Sequence, residues 1–166
     1  LEKKLRKRVV ILRHRPSLLP ILSAYKYGKK NAESIAANKL PRQGGNNSRI
    51  GSLLRFSYYY TDYVFGQFVV YLKHTRRGEI VLYDRYYFDF INDAKRSNIV
   101  LPPWIAKLGY KLLLKPNLNI FLYADPMTIR KRKQELDIAT IADLTLKYKN
   151  LFSEYQGKSR SEFAML

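Results

Sequence analysis

The chain has 166 residues, 46% of them hydrophobic, which suits one globular domain with a sizeable core and excludes wholesale disorder. It has no cysteine, which excludes disulfides and thiolate metal sites and is typical of a protein of the reducing cytoplasm. Its formal net charge of +18 predicts an attraction to phosphates, nucleotides, nucleic acid or acidic membranes, although charge alone selects none of them. No apolar run is long enough to predict a membrane span.

The beginning of the chain predicts one strand followed by an irregular segment. Residues 1–8 have the spacing of the last turns of a helix, and the β-branched run VVIL, 9–12, predicts a buried strand that ends at RHRP. Glycine, proline and asparagine then punctuate residues 17–51, where we expect one short helix around 31–38.

The middle of the chain predicts helices around a second strand. Aromatic and apolar residues at helical spacing predict a long helix over 52–76 with Ser52 as its N-cap. EIVLY, 79–83, predicts another buried strand, and further helices are expected over 86–97 and 104–114.

The last part predicts a third strand and two helices. The strand is NLNIFLY, 117–123, and Asp125 followed by proline is typical of the start of a helix, here one that contains MTIRKRKQEL. Thr140 with Asp143 has the spacing of a capping box that opens the last helix. The tail from Gly157 shows no clear pattern.

Strands that alternate with helices predict an α/β fold in which helices cover both faces of a parallel sheet. Ligands bind to such sheets at the carboxyl ends of the strands. Charged residues follow all three predicted strands at this end: Arg13, His14 and Arg15, then Asp84 and Arg85, then Asp125. The sequence therefore predicts a ligand crevice with charged walls.

The neighbours Asp84 and Arg85 have the chemistry that phosphoryl transfer requires. A carboxylate can bind Mg²⁺, its water or a sugar hydroxyl, and an arginine can hold a phosphate through two parallel hydrogen bonds. Arg13 and Arg15 can hold a second phosphate. The alternatives are an ion pair that closes the strand and solvated charge at the start of a loop.

Two further charged groups have open interpretations. Asp89, Asp93 and Arg96 have helical spacing, which suits either a second acidic patch for a metal or sugar or an intrahelical ion pair. The basic run 130–133 is expected in the first turns of a helix, where cations are unfavourable, so that a compensating anion is plausible. The alternative for this run is an exposed basic face.

Aromatic residues crowd the predicted long helix and raise the possibility of stacking on a base: Tyr58, Tyr59, Tyr60, Tyr63 and Phe65. Consecutive helical residues point in different directions, so at most two of them share a pocket, and the others are expected in the core. Neither histidine is convincing as a catalyst, since His74 falls on the packed stripe and His14 lies between two arginines.

The segment VLYDRYYFDF resembles the strand and DR[YH] motif of thymidylate kinases and their relatives among the P-loop nucleoside monophosphate kinases. VVILRHRP is similar to the second strand of that family, SLLRFSYYYTDY to its acceptor-pocket helix, and NIFLYADPMTIRKRKQEL and LTLKYKNLF to the elements around its lid. The resemblance implies a three-layer α/β/α fold of the P-loop kinase type, with residues 1–166 as a single domain. It also implies ATP and Mg²⁺ as cofactors. The predicted helix over 52–76 is long enough to pack against a second copy of the chain in a homodimer.

The resemblance also implies roles for individual residues. Asp84 would lie near Mg²⁺ or the acceptor sugar, and Arg85 would contact phosphate. Arg132, together with Arg130, would neutralise charge on the transferring phosphoryl group.

The acceptor side has its own set of implied residues. Arg15 would reach the acceptor, and Phe56 would stack on its base. The spacing patterns described above add Tyr60, Asp89 and Arg96 as substrate-binding candidates.

The chain departs from the family in two ways. It contains no GxxxxGK[ST] motif, which the family places before its second strand, so we expect a truncated domain that is inactive alone and also lacks a final strand. The pocket helix reads SYYYTDY where the family carries an arginine, which leaves dTMP, another nucleotide or a sugar as the acceptor. The alternatives to a nucleotide kinase are a basic nucleic-acid-binding module and a non-catalytic relative.

Overall fold

Helices and parallel strands alternate along the chain in the computed structural model, which describes residues 6–27, 42 and 45–166. The described residues form two compact units, the first ending at Leu113 and the second spanning Leu114–Leu166. Each unit contains one pair of parallel strands. The predicted mixed α/β class with parallel pairing is therefore confirmed.

The first unit contains β1 (Val9–Arg13) and β2 (Ile80–Asp84), which pair in parallel from Val9 opposite Ile80 to Arg13 opposite Asp84. The prediction that both strands are buried is wrong, because the register partners Ile11 and Leu82 are 66% and 41% exposed. Successive strand residues face opposite sides of a sheet, and a run of apolar residues does not reveal whether both sides are covered.

The long helix α2 spans Arg49–Lys73 and starts three residues before the predicted boundary of 52. Its N-cap is Ser48, whose side chain accepts a hydrogen bond from the Gly51 amide at 3.2 Å. The predicted cap Ser52 is instead fully buried inside the helix, where its hydroxyl accepts from the Val100 amide at 2.9 Å. Both serines satisfy the local rule for a cap, and only packing distinguishes them.

The remaining elements of the first unit are short: α1 (Leu22–Tyr27), a 3₁₀ turn (Thr75–Arg77), α3 (Phe88–Asn92), a 3₁₀ turn (Ala94–Ser97) and α4 (Pro103–Tyr110). The helix predicted over 86–97 is thus two pieces, since Asp93 leaves the helical region with φ of −137°. Residues 6–8 are not helical, whereas the predicted helix over 31–38 and residues 1–5 lie outside the described part of the chain.

An aromatic core joins α2, α3 and α4 in the first unit. Its buried members are Phe56, Tyr63, Tyr87, Phe88, Phe90 and Tyr110. Tyr63 packs edge-on against Tyr87 with ring centroids 5.3 Å apart, and the Tyr87 hydroxyl donates to the main-chain oxygen of Ala106 at 3.0 Å. The buried hydroxyl thus has a partner, as a tyrosine in a core requires.

The second unit contains β3 (Leu118–Phe121), α5 (Pro126–Arg132), α6 (Ile138–Tyr155) and β4 (Glu162–Met165). The two strands pair in parallel, and aromatic rings of α6 cover them: Phe121 stacks on Tyr148 with centroids 5.1 Å apart, and Phe152 meets Phe163 at the same distance. The expectation that no strand follows the last helix is wrong. The segment EFAM has no alternation of its own and becomes a strand through its partner.

In the second unit, the predicted N-cap of α5 is confirmed, and the predicted N-cap of α6 is wrong. Asp125 caps α5 by accepting from the amides of Met127 and Thr128, and Pro126 is the first helical residue, as predicted. The cap of α6 is Asp137, not the predicted Thr140, whose amide donates to Asp137 at 2.8 Å.

Candidate functional site

The carboxyl ends of β1 and β2 bring charged residues of two predicted strands together, whereas the third predicted strand, β3, pairs with β4 in a separate sheet. Arg13 lies opposite Asp84, and the next residue of each strand, His14 and Arg85, adopts a left-handed backbone with φ of 63° and 68°. The His14 amide donates to the main-chain oxygen of Asp84 at 2.9 Å, which ties the two turns together. Left-handed conformations are uncommon and costly outside glycine, and such strain concentrates at functional sites.

Arg85 and Asp84 are both accessible at this edge. The Arg85 side chain is 39% exposed, and among the described residues its guanidinium pairs with Asp89, at 3.4 Å. A contact of that length and exposure holds the guanidinium weakly, so that an anion can compete for it. The Asp84 carboxylate is exposed and makes no hydrogen bond or ion pair within the described residues.

A magnesium ion is compatible with this edge. Mg²⁺ keeps several waters and takes only one or two protein carboxylates together with substrate phosphates, which is what Asp84 offers. Within the described residues, no group of three or more metal-ligating side chains forms a dedicated metal cage.

His14, which the sequence did not favour as a catalyst, directly follows Arg13 at this charged edge. Burial lowers the pKa of its imidazole, and the positive charges of Arg85 and Arg96 act in the same direction, while Asp89 and Asp84 oppose them. These four charges therefore contribute to the electrostatic potential at His14. The feature of the sequence that could have indicated His14 is its position directly after the predicted strand 9–12 and Arg13.

Arg15 does not face the open edge. Its guanidinium forms an ion pair with Asp62 of α2 at 2.7 Å, and the Asp62 side chain is fully buried. The sequence pattern contained no sign of this partner, because Asp62 was counted only as part of SYYYTDY.

Asp93 forms a second buried ion pair in the first unit. Its carboxylate contacts Arg42 at 2.7 Å and Arg96 at 4.0 Å. Burial raises the pKa of Asp93, although the hydrogen bond from Arg42 opposes the shift. The helical spacing of Asp93 and Arg96 thus produces only the 4.0 Å contact. The 2.7 Å contact of Asp93 is made by Arg42, which is 51 residues away in the sequence.

Phe56 and Tyr63 belong to the core of the first unit, whereas Phe65, which was expected there, is 60% exposed. Phe56 is 7% exposed and stacks on Tyr60 with centroids 5.6 Å apart. The Tyr60 hydroxyl donates to the main-chain oxygen of Gly109 at 2.9 Å. One face of Phe56 is therefore already covered, which limits the surface it offers to a base.

The basic run 130–133 lies at the end of α5 and not in its first turns, since this helix stops at Arg132. A helix carboxyl terminus is partly negative, so Arg130 and Arg132 are favourable there and require no compensating anion. Both are exposed, and Lys133 pairs with Glu135 at 2.7 Å.

Comparisons with protein-family models, curated proteins and solved structures found no match to this chain. Among the helices that the structure describes, none combines the length and apolar composition needed to cross a bilayer.

Proposed function

We propose that this chain is the acceptor-binding part of a phosphotransferase of the nucleoside monophosphate kinase type, which moves the γ-phosphoryl group of ATP to a nucleotide such as dTMP. The three-layer α/β/α fold of that family belongs to the same proposal. The observation that carries it is the parallel edge where Arg13 lies opposite Asp84 and left-handed turns follow at His14 and Arg85. Ligands of parallel α/β sheets bind at this end of the strands.

The positive and negative side chains of this edge have different roles in the proposed reaction. Arg85, which is accessible and weakly held by Asp89, binds the acceptor phosphate through charge-assisted hydrogen bonds. Asp84, whose carboxylate is open, orients the acceptor sugar or a magnesium-bound water. ATP with Mg²⁺ would supply the phosphoryl group, and no residue of this chain is assigned to the grip on its β- and γ-phosphates, because the 166 residues contain no Walker A motif.

Calorimetric titration of this chain with dTMP and with thymidine tests the acceptor side directly. The two ligands differ only in the phosphate, so that their affinity ratio measures the phosphate contact. We expect dTMP to bind roughly tenfold to a hundredfold more tightly, as a charge-assisted hydrogen bond predicts. Arg85→Gln should bring the ratio close to one.

Arg76→Gln provides a matched control, since it also removes an exposed positive charge. Arg76 precedes β2 and therefore lies near the opposite end of that strand from Asp84. This variant should keep the parent ratio. Equal affinities of the parent chain for dTMP and thymidine would sink the proposed acceptor site.

Nucleic-acid binding is the second candidate function, and the exposed basic residues Arg130, Lys131 and Arg132 favour it together with the net charge of +18. Binding to a nucleic-acid backbone weakens steeply with salt, because it releases counterions. A duplex that binds more tightly than dTMP in 0.15 M salt, with loss of binding in Arg130→Gln/Arg132→Gln, would favour this function over phosphotransfer.

A further inference from the structure

Asp62 lies on α2 at a position where a charged side chain has no access to water. Its side chain is 0% exposed and accepts three hydrogen bonds, all from the segment that follows β1. The donors are the Arg15 guanidinium at 2.7 Å, the Leu19 amide at 2.7 Å and the Ser17 amide at 3.2 Å. A buried carboxylate is tolerated when it is paired and hydrogen-bonded in this way.

Neighbouring side chains of α2 hold the same segment, residues 14–20, which we call the β1 loop. The Tyr63 hydroxyl donates to the main-chain oxygen of His14, and the Tyr58 hydroxyl donates to that of Pro20 at 2.7 Å. Tyr58 and Asp62 are four residues apart and lie on one side of the helix, and Tyr63 reaches the start of the loop from the next position along the helix. The β1 loop is therefore fastened to α2 at both ends and in the middle.

The Arg15 side chain is buried beside a carboxylate, which makes it a poor ligand for a phosphate. Its Nη1 donates both to Asp62 and to the main-chain oxygen of Leu19, at 2.7 and 2.8 Å, and the side chain is only 10% exposed. The Tyr59 ring lies 5.2 Å from its Cζ atom. The three N–H groups on Nε and Nη2 remain, but a phosphate would have to reach a side chain that is largely buried, and the Asp62 carboxylate would repel it.

We infer that Arg15 is a positioning residue, which holds the β1 loop through Asp62 and does not bind the acceptor phosphate. The inference deepens the proposed function, on which the phosphate part of it rests. The ion pair fixes the loop that begins at His14. The His14 amide donates a hydrogen bond to the main-chain oxygen of Asp84 at the strand edge. Arg15 and Asp62 thus act on the edge through the backbone, whereas Arg85 meets the phosphate itself.

The test is a cycle of three variants, Arg15→Gln, Asp62→Asn and the double variant, with thermal unfolding and dTMP titration as readouts. Removing either member leaves the other buried without its partner, so each single variant should lower the Tm by roughly 10 °C. Each should also weaken dTMP binding about tenfold, because the loop is no longer preorganised. The double variant should be no worse than either single variant, since both changes break the same contact.

A direct phosphate ligand would behave differently. Asp62→Asn would then release the Arg15 guanidinium and strengthen dTMP binding, and Arg15→Gln would weaken it at unchanged Tm. Either result overturns the inference, as do Tm losses that add in the double variant. Arg85→Gln is the reference for a true ligand, with lower affinity and the parent Tm.

The two proposals fail in distinguishable ways. A parent chain that binds dTMP no better than thymidine contradicts the proposed function. The Tm cycle then still decides whether Asp62 and Arg15 hold the loop, because it needs no ligand. Coupled Tm losses support the positioning role, and independent losses reject it.

Discussion

Pro16 of the β1 loop lies directly against Gly66 of α2. A Cβ atom added to Gly66 would lie 2.4 Å from the Cβ of Pro16, closer than non-bonded atoms approach, and 3.1 Å from its Cγ. Gly66 follows Asp62 by four residues and is therefore on the same side of the helix. The absence of a side chain at this position permits the loop to reach Asp62.

Replacing Gly66 with alanine should destabilise the protein although alanine favours a helix. The clash with the rigid Pro16 ring should cost about 3 kcal/mol, the upper end of overpacking effects, against the roughly 1 kcal/mol that alanine gains over glycine in a helix. Urea denaturation measures the change, with Ser57→Ala on the exposed side of α2 as the control. If both variants are equally stable, the close approach of Pro16 is not a structural requirement.

Arg85 should be required for turnover once this chain is joined to a P-loop. We expect Arg85→Ala to lower the rate of phosphoryl transfer from ATP to a nucleoside monophosphate roughly hundredfold, the usual effect of losing one preorganised charge contact. A coupled assay for ADP across several nucleoside monophosphates measures this rate. Unchanged turnover would remove Arg85 from the mechanism, and Arg76→Ala is the matched control.

His14 should make the stability depend on pH. Burial, and then Arg85, lower the pKa of His14 in the folded chain below its ordinary value of 6.5. Between the folded pKa and 6.5 the unfolded chain binds more protons, so stability rises with pH across this window and is lost as the pH falls through it.

The variant His14→Asn tests this dependence, because asparagine tolerates a positive φ and does not titrate. Its Tm should vary less than that of the parent between neutral and mildly acidic pH. His74→Asn is the control, since it removes the other histidine of the chain. Parallel pH profiles of His14→Asn and the parent would show that another group is responsible.

The start of α6 allows a comparison between two exposed carboxylates, Asp137 and Asp143. Asp137 accepts hydrogen bonds from the amide and hydroxyl of Thr140, both at 2.8 Å, whereas Asp143 pairs only with the exposed Lys147. Asp137→Ala should therefore lower the Tm by a few degrees, and Asp143→Ala should change it little. Equal effects in thermal unfolding would mean that the cap does not stabilise this helix.

The sequence predicted those residues of the candidate site that lie at the carboxyl ends of β1 and β2. Asp84 and Arg85 lie beside Arg13, because parallel strands bring their carboxyl ends to one edge. The partner of Arg15 was not predictable, since Asp62 is 47 residues away in the sequence and belongs to a different element. No local pattern reports which of several arginines will meet a buried carboxylate.

The sequence by itself determined the positions of β1, β2, α2 and the proline-started α5, because hydrophobic periodicity and capping residues act over a few neighbouring positions. Only the tertiary structure decided which serine caps α2 and that the tail forms β4, since both depend on segments distant in the chain. It also decided that Arg15 turns inward to Asp62 while Arg85 stays accessible. Burial and ion pairing arise when remote elements pack, and the local order of residues does not encode them alone.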